Sequence, residues 1–341
     1  MSIRIGLIGA GRMGKVFANT LAFNVSEVDL VAVADPVETA LNEVSTRYSI
    51  PKAYKDYRQL LDSKEVEAVV ITTPTGTHAE VVTAAAAAGK NIFCEKPLSQ
   101  RLEACDQAMR AVKEAGVKLQ MGFMRRFDPP YAAAKQKILE GAIGKPVMFK
   151  ATSRDPWRTS LEFAKRENSG GLIVDMGVHD FDLARWLMGA EVLRVSTEGT
   201  CLAFPELKDV GDIDNVVVNL RFANDAIGNI DMSRNAVYGY DIRTEVLGTE
   251  GSLWIGYMQQ TATLVLNKQG ITHDVVPGFM ERFAIAYAQE VREFVNHIVN
   301  DTQPTVTGLD ARAATAIGIA ATLSLDEDRP VSIKEVEPTS K

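Results

Sequence analysis

The residues of this 341-residue chain best suited to chemistry lie in "GGLIVDMGVHDFDLARW", residues 170–186, where Asp175 and His179 sit four positions apart behind two glycines. If the segment is helical, the two side chains share one face. A neutral imidazole placed there can take a proton from an alcohol, while a carboxylate orients the ring and stabilises its charged form. An ordinary helix start with a satisfied Asp–His hydrogen bond accounts for the same letters, so both readings stand at this point. A second candidate is "FCEKPLS", in which Glu95, Lys96 and Pro97 end a strand-like run. Open α/β sheets place their ligands at that end of a strand. Lys96 can reach a reacting centre from there, or lie on the surface as lysines usually do.

Gly9, Gly11 and Gly14 form G-x-G-x-x-G between the strand-like "SIRIGLIG" and the helical run "RMGKVFANTLAF". A tight turn, close approach to a pyrophosphate and close helix packing each call for a residue without a side chain. The helix start then directs unpaired N–H groups at phosphate. Asp35 ends the next strand, 21 positions after Gly14. There a carboxylate can accept hydrogen bonds from ribose hydroxyls and repel a 2′-phosphate, which selects NAD over NADP; a turn acid before Pro36 is the plainer alternative.

The elements that must position these residues follow from periodicity. Buried runs at "SIRIGLIG", "VDLVAVAD", "VEAVVITT", "NIFCEKP" and "VKLQMGF" alternate with helical stretches, which predicts a doubly wound parallel sheet over residues 1–122. From 123 to 341 the rhythm changes. Helical stretches at 131–141 and 171–188 are followed by candidate strands "PVMFKATSR", "EVLRVSTEGT", "NVVVNLRF", "AIGNIDMSR", "DIRTEVLGT", "GSLWIGY" and "ATLVLN". Turn residues separate most of them, which predicts an α+β domain with a large, mostly antiparallel open sheet. Helical stretches near 281–299 and 308–324 finish the chain and can pack back on the first domain.

With 46% hydrophobic residues, 24% charged residues and a net charge of -7, the chain is neither disordered nor basic enough overall to attract nucleic acid. Cys94, Cys105 and Cys201 are odd in number and match no metal or redox spacing, which points to a reducing, cytoplasmic setting. No apolar run suggests secretion or membrane insertion. The scattered histidines suggest no metal site.

The glycine fingerprint, "EKP" and "SGGLIVDMGVHDFDLARWLMG", in this order, strongly resemble the Gfo/Idh/MocA oxidoreductase family, and the likeness runs over almost the whole chain. "GFMRRFDPPY", "SRDP" at 153–156 and "SRNAVYGYDIRTEVLGTEG" at 233–251 resemble its cyclitol-oxidising branch. The resemblance implies NAD-dependent oxidation of a small polyol or sugar, foremost myo-inositol to its 2-keto product. Lys96, Asp175 and His179 would be catalytic, with His179 as general base. It implies cofactor contacts from Gly9, Gly11, Arg12, Met13, Gly14, Asp35, Thr73, Pro74, His78, Glu95 and Lys96. His78 equally well caps the next helix. The polyol would meet Arg126, Arg154, Trp157 and Tyr238 beside the catalytic residues, and the assembly would be a homo-tetramer. One departure bears on the substrate: "WRTSLEF" replaces a proline-rich run after "SRDP", setting Trp157 and Arg158 where isomer preference is decided. Alternatives are a sibling acting on scyllo-inositol or an aldose, and a non-catalytic NAD or sugar sensor.

Overall fold

The computed structural model describes residues 2–338. By backbone contacts the chain divides into two units, one running to Phe127 and including Ile285–Thr315, the other holding Asp128–Ala284 and the residues from Ala316 on.

The first unit is built on a parallel sheet of β1 (Ile3–Ile8), β2 (Val28–Ala34), β3 (Lys52–Tyr54), β4 (Ala68–Ile71), β5 (Asn91–Glu95) and β6 (Leu119–Gly122). Their spatial order is β3-β2-β1-β4-β5-β6. The crossovers are α1 (Arg12–Asn19), α2 (Glu38–Arg47), α3 (Tyr57–Leu61), α4 (His78–Ala87) and α5 (Leu102–Ala115). Strands covered on both faces need continuous apolar runs, and every residue of β4 and β6 is buried. Order reverses between β1 and β4, so the crossovers after those two strands diverge and open a crevice at the strands' carboxyl ends. Within this unit the returning segment docks through aromatic rings: Tyr287 lies 5.7 Å from Phe17, and Phe294 5.9 Å from Phe93.

In the second unit α6 (Pro129–Leu139) and β7 (Pro146–Arg154) are followed by four helices, α7 (Leu161–Ala164), α8 (Arg166–Ser169), α9 (Gly171–Asp175) and α10 (Gly177–Met188). Then come β8 (Val192–Thr200), β9 (Asn215–Phe222), β10 (Ile227–Ser233), β11 (Asp241–Gly248) and β12 (Ser252–Ile255), and a separate hairpin of β13 (Leu264–Asn267) and β14 (Gly270–His273). Helices α11 (Phe279–Val299) and α12 (Gly308–Glu327) each contribute residues to both units, and β15 (Val331–Ser332) completes the sheet. Its order is β12-β11-β7-β10-β9-β8-β15, and among the described residues its pairings are antiparallel except β7 with β10. Strict alternation of buried and exposed residues in β9 marks a sheet with one covered face.

Two local expectations are corrected. The helix expected through Phe23 ends at Asn19 and passes into a wider π-type turn, Thr20–Asn24. The stretch 171–188 is two helices rather than one, divided at Met176. The short strands β3, β14 and β15 have too few residues to show any periodicity in sequence.

Candidate active site

The named residues divide between the two units. In the first, Gly9, Asp35 and Lys96 follow directly on β1, β2 and β5, and Thr73 is the second residue past β4, four adjacent strands flanking the reversal of order. The glycine turn is tight. Gly9 has φ +101°, and a Cβ on Gly14 would stand 2.1 Å from the Gly9 carbonyl oxygen, so α1 can start this close to β1 only without a side chain. A Cβ at Gly11 would meet nothing within 4 Å, which leaves the start of α1 open to a phosphate. Arg12 and Met13 form the first turn of that helix.

Asp35 is pinned at the same turn. One carboxylate oxygen accepts the Ala10 N–H at 2.7 Å and the other accepts the Val37 N–H at 2.7 Å. Each oxygen keeps a further lone pair for a ribose hydroxyl, so the turn contact and the ribose role are compatible. These features fit a dinucleotide: backbone N–H groups for the pyrophosphate and a fixed carboxylate for the ribose.

His78 begins α4, buried, with Nδ1 2.8 Å from the Pro97 carbonyl and Nε2 2.7 Å from the Thr73 carbonyl. Burial lowers its pKa, opposed by those two carbonyls and reinforced by the Lys96 charge. A neutral ring donates to one carbonyl at a time. The ring thus ties the Thr73–Pro74 loop to the "EKP" turn. Its side chain is not a helix cap.

Behind Lys96 lies a feature that local sequence reading missed. Glu95, also named for the cofactor, is buried, and its Oε2 accepts the Lys96 N–H at 3.1 Å. Burial pushes its carboxyl up to about 7, opposed by the Lys96 charge and N–H. Glu290, on the returning half of α11, is wholly buried and raised well above the usual carboxylate range by burial first, then by the charges of Glu95 and Glu293. Gln120 of β6 holds that helix by donating to the Glu290 backbone carbonyl at 2.7 Å. Arg126 donates to Asp310 at 2.8 Å within the same unit.

In the second unit Asp175 is the last residue of α9, and His179, 9% exposed, lies in the first turn of α10. The glycines before them are required. Gly170 and Gly171 have φ +80° and +71°, and a Cβ on Gly171 would come 2.8 Å from Asp212 Oδ1. That oxygen accepts the Leu172 N–H at 2.8 Å, holding the first turn of α9. Asp175 Oδ2 accepts from Arg234 Nη2 at 3.2 Å, and Arg234 is 2% exposed. Neither Arg234 nor Asp212 was singled out in the sequence, although the arginine of "SRN" just past the end of a strand was the available signal.

Arg154 and Tyr238 are brought together. Arg154 donates to Asp231 at 2.5 Å and to the Tyr238 hydroxyl at 3.1 Å, and that hydroxyl donates to buried Asp241 at 2.9 Å. Trp157 is half-exposed over Gly278, where a Cβ would lie 3.0 Å from its ring. Arg158 pairs with Glu206 at 3.0 Å, tying its loop to the turn Pro205–Val210. Among the described residues no set of three or more His, Cys, Asp or Glu side chains gathers as for a metal ion, and no helix is long and apolar enough to cross a membrane.

Known proteins share this fold. Residues 3–123 match the family model described as oxidoreductase family, NAD-binding Rossmann fold, and residues 135–333 match its C-terminal alpha/beta domain. The chain is 40% identical to scyllo-inositol 2-dehydrogenase (NAD(+)) of Bacillus subtilis, covering 97% of this chain and 96% of the relative. It is also 40% identical to myo-inositol 2-dehydrogenase of Thermotoga maritima, covering 98% and 99%. The crystal structure of scyllo-inositol dehydrogenase from Lactobacillus casei with bound NAD(H) and scyllo-inositol superposes with a TM-score of 0.94 at 31% identity, over 98% of this chain and 100% of that one. With both domain models matched and relatives aligned nearly end to end, the chain belongs to the Gfo/Idh/MocA oxidoreductase family and carries its NAD-binding Rossmann domain.

Proposed function

We propose that this protein oxidises a cyclitol with NAD, converting myo-inositol at C2 to the 2-keto product. The observation that carries the reading is 40% identity, over nearly full length, to proteins named for inositol oxidation. Bound NAD supplies the hydride acceptor. His179 takes the hydroxyl proton as hydride leaves the same carbon, Asp175 stabilises the imidazolium so formed, and Lys96 contacts the substrate oxygen. Arg126, Arg154, Trp157 and Tyr238 supply polar and aromatic groups for a ring of hydroxyls. The second reading, scyllo-inositol as preferred substrate, is favoured by the name of the equally similar Bacillus relative. NADH formation at 340 nm across myo-, scyllo- and D-chiro-inositol, glucose and xylose tests both. Faster turnover of an aldose than of every inositol would sink them together.

Asp35 excludes NADP by charge. Asp35→Asn is expected to raise the NADP-to-NAD ratio of kcat/KM at least tenfold, and a wild-type preference for NADP would overturn this assignment. We further propose a homo-tetramer assembled through the outward sheet face, where Trp254 is 80% exposed and Leu247, Ile227 and Val217 stand clear on the neighbouring strands. Light scattering at micromolar concentration should give four times the chain mass, and a monomer mass removes the proposal. Three buried, unbridged cysteines support a cytoplasmic setting.

A further inference from the structure

We infer that Arg234 is a positioning residue for the proton-transfer pair, acting through Asp175; the inference rests on the proposed catalytic roles of Asp175 and His179. Arg234 follows β10, a strand paired on both sides, and its backbone N–H donates to the Asp214 carbonyl at 2.9 Å. The adjoining Ser233 hydroxyl donates to Asn215 Oδ1 at 2.7 Å and accepts the Asn235 N–H at 3.0 Å. The backbone carrying the guanidinium is therefore held by the sheet itself.

The guanidinium is 2% exposed and Asp175 is half-buried. A cation that deep is strongly disfavoured without anions beside it, and two carboxyls serve. Asp175 Oδ2 accepts its N–H at 3.2 Å. Burial raises the Asp212 carboxyl above its usual range, opposed first by the Leu172 and Ile213 N–H groups and then by the charges of Arg234 and Arg166. Asp212 holds the first turn of α9 through the Leu172 N–H, and Asp175 is that helix's last residue. One buried guanidinium thus addresses a carboxyl at each end of a five-residue helix, about 7 Å long.

The chemical consequence concerns His179, which follows Asp175 after the break at Met176. A carboxylate that is to steady an imidazolium must stay ionised and in one rotamer, and a hydrogen-bonded guanidinium does both. The charged groups bearing on this point are Asp175 on α9, His179 on α10, Asp212 before β9, Arg166 on α8 and Arg234 itself. Removing the cation leaves the carboxylate's field uncompensated, so the imidazolium is held more strongly and the ring gives up its proton at higher pH.

The test compares wild type, R234Q and R234K in kcat-against-pH profiles with myo-inositol, NAD affinity by protein fluorescence, and titration of the His179 ring by NMR. R234Q should lower kcat at least tenfold, leave NAD affinity within twofold, and move both the acid limb and the ring titration to higher pH by more than half a unit. R234K, which keeps charge without the planar fork, should fall between. An acid limb and ring titration that stay in place, or NAD affinity falling in step with kcat, would overturn the inference. If R234Q does not fold, R234K is judged against wild type by the same two criteria. If wild type turns over no polyol, the functional reading has failed, and the ring titration still decides the role of Arg234.

Discussion

His179→Asn lowers kcat for polyol oxidation by about 10²- to 10⁴-fold, the range that a positioned general base supplies, and leaves NAD affinity within twofold. The separation is expected from the fold. His179 belongs to α10 in the second unit, whereas the glycine turn and Asp35 belong to the first. Asparagine roughly matches the volume and polarity of the ring but does not titrate, so the acid limb of the wild-type profile should vanish rather than move. Steady-state kinetics from pH 5 to 9, with NAD affinity measured separately, check it. A variant keeping more than a tenth of wild-type kcat would place the base elsewhere.

Glu290→Gln makes the protein more stable at pH 8 and leaves it unchanged near pH 4. The reason is the carboxyl pair beneath the "EKP" turn. Glu95 is pushed up to about 7 by burial, with Lys96 opposing, and Glu290 is raised by burial and then by Glu95 and Glu293. A carboxyl whose pKa is higher folded than unfolded binds more protons in the native state, so its contribution is fully present below the unfolded value and is lost as pH rises toward the folded one. For Glu95 the window runs from the usual carboxylate value of 4.5 to about 7. Glutamine keeps the shape of Glu290 and removes its titration. Thermal unfolding should show a Tm several degrees above wild type at pH 8 and the same Tm near pH 4. A lower Tm for the variant at pH 8 would mean that Glu290 is ionised and well paired in the native state.

The sequence by itself determined the nucleotide-binding architecture, because its signals are local. A strand, a glycine turn and a helix are contiguous from Ile3 to Asn19, and the constraint on Gly14 comes from Gly9, only five residues away. Alternating burial in β9 and continuous burial in β4 were likewise written in neighbouring residues. The same holds for "EKP" and "DMGVH", whose types and spacing named Lys96, Asp175 and His179 as candidates.

Tertiary structure alone decided what those candidates touch. Arg234 reaches Asp175 across 59 positions, Arg126 reaches Asp310 across 184, and Glu290 comes to bear on Glu95 through a helix that returns near the end of the chain. No local pattern encodes such partners, because a buried charge selects its neighbour by distance in space and loss of water, not by spacing along the chain. The division of 171–188 at Met176 has the same origin. Helical periodicity runs through it, and the break that sets Asp175 and His179 on separate helices is visible only in the folded backbone.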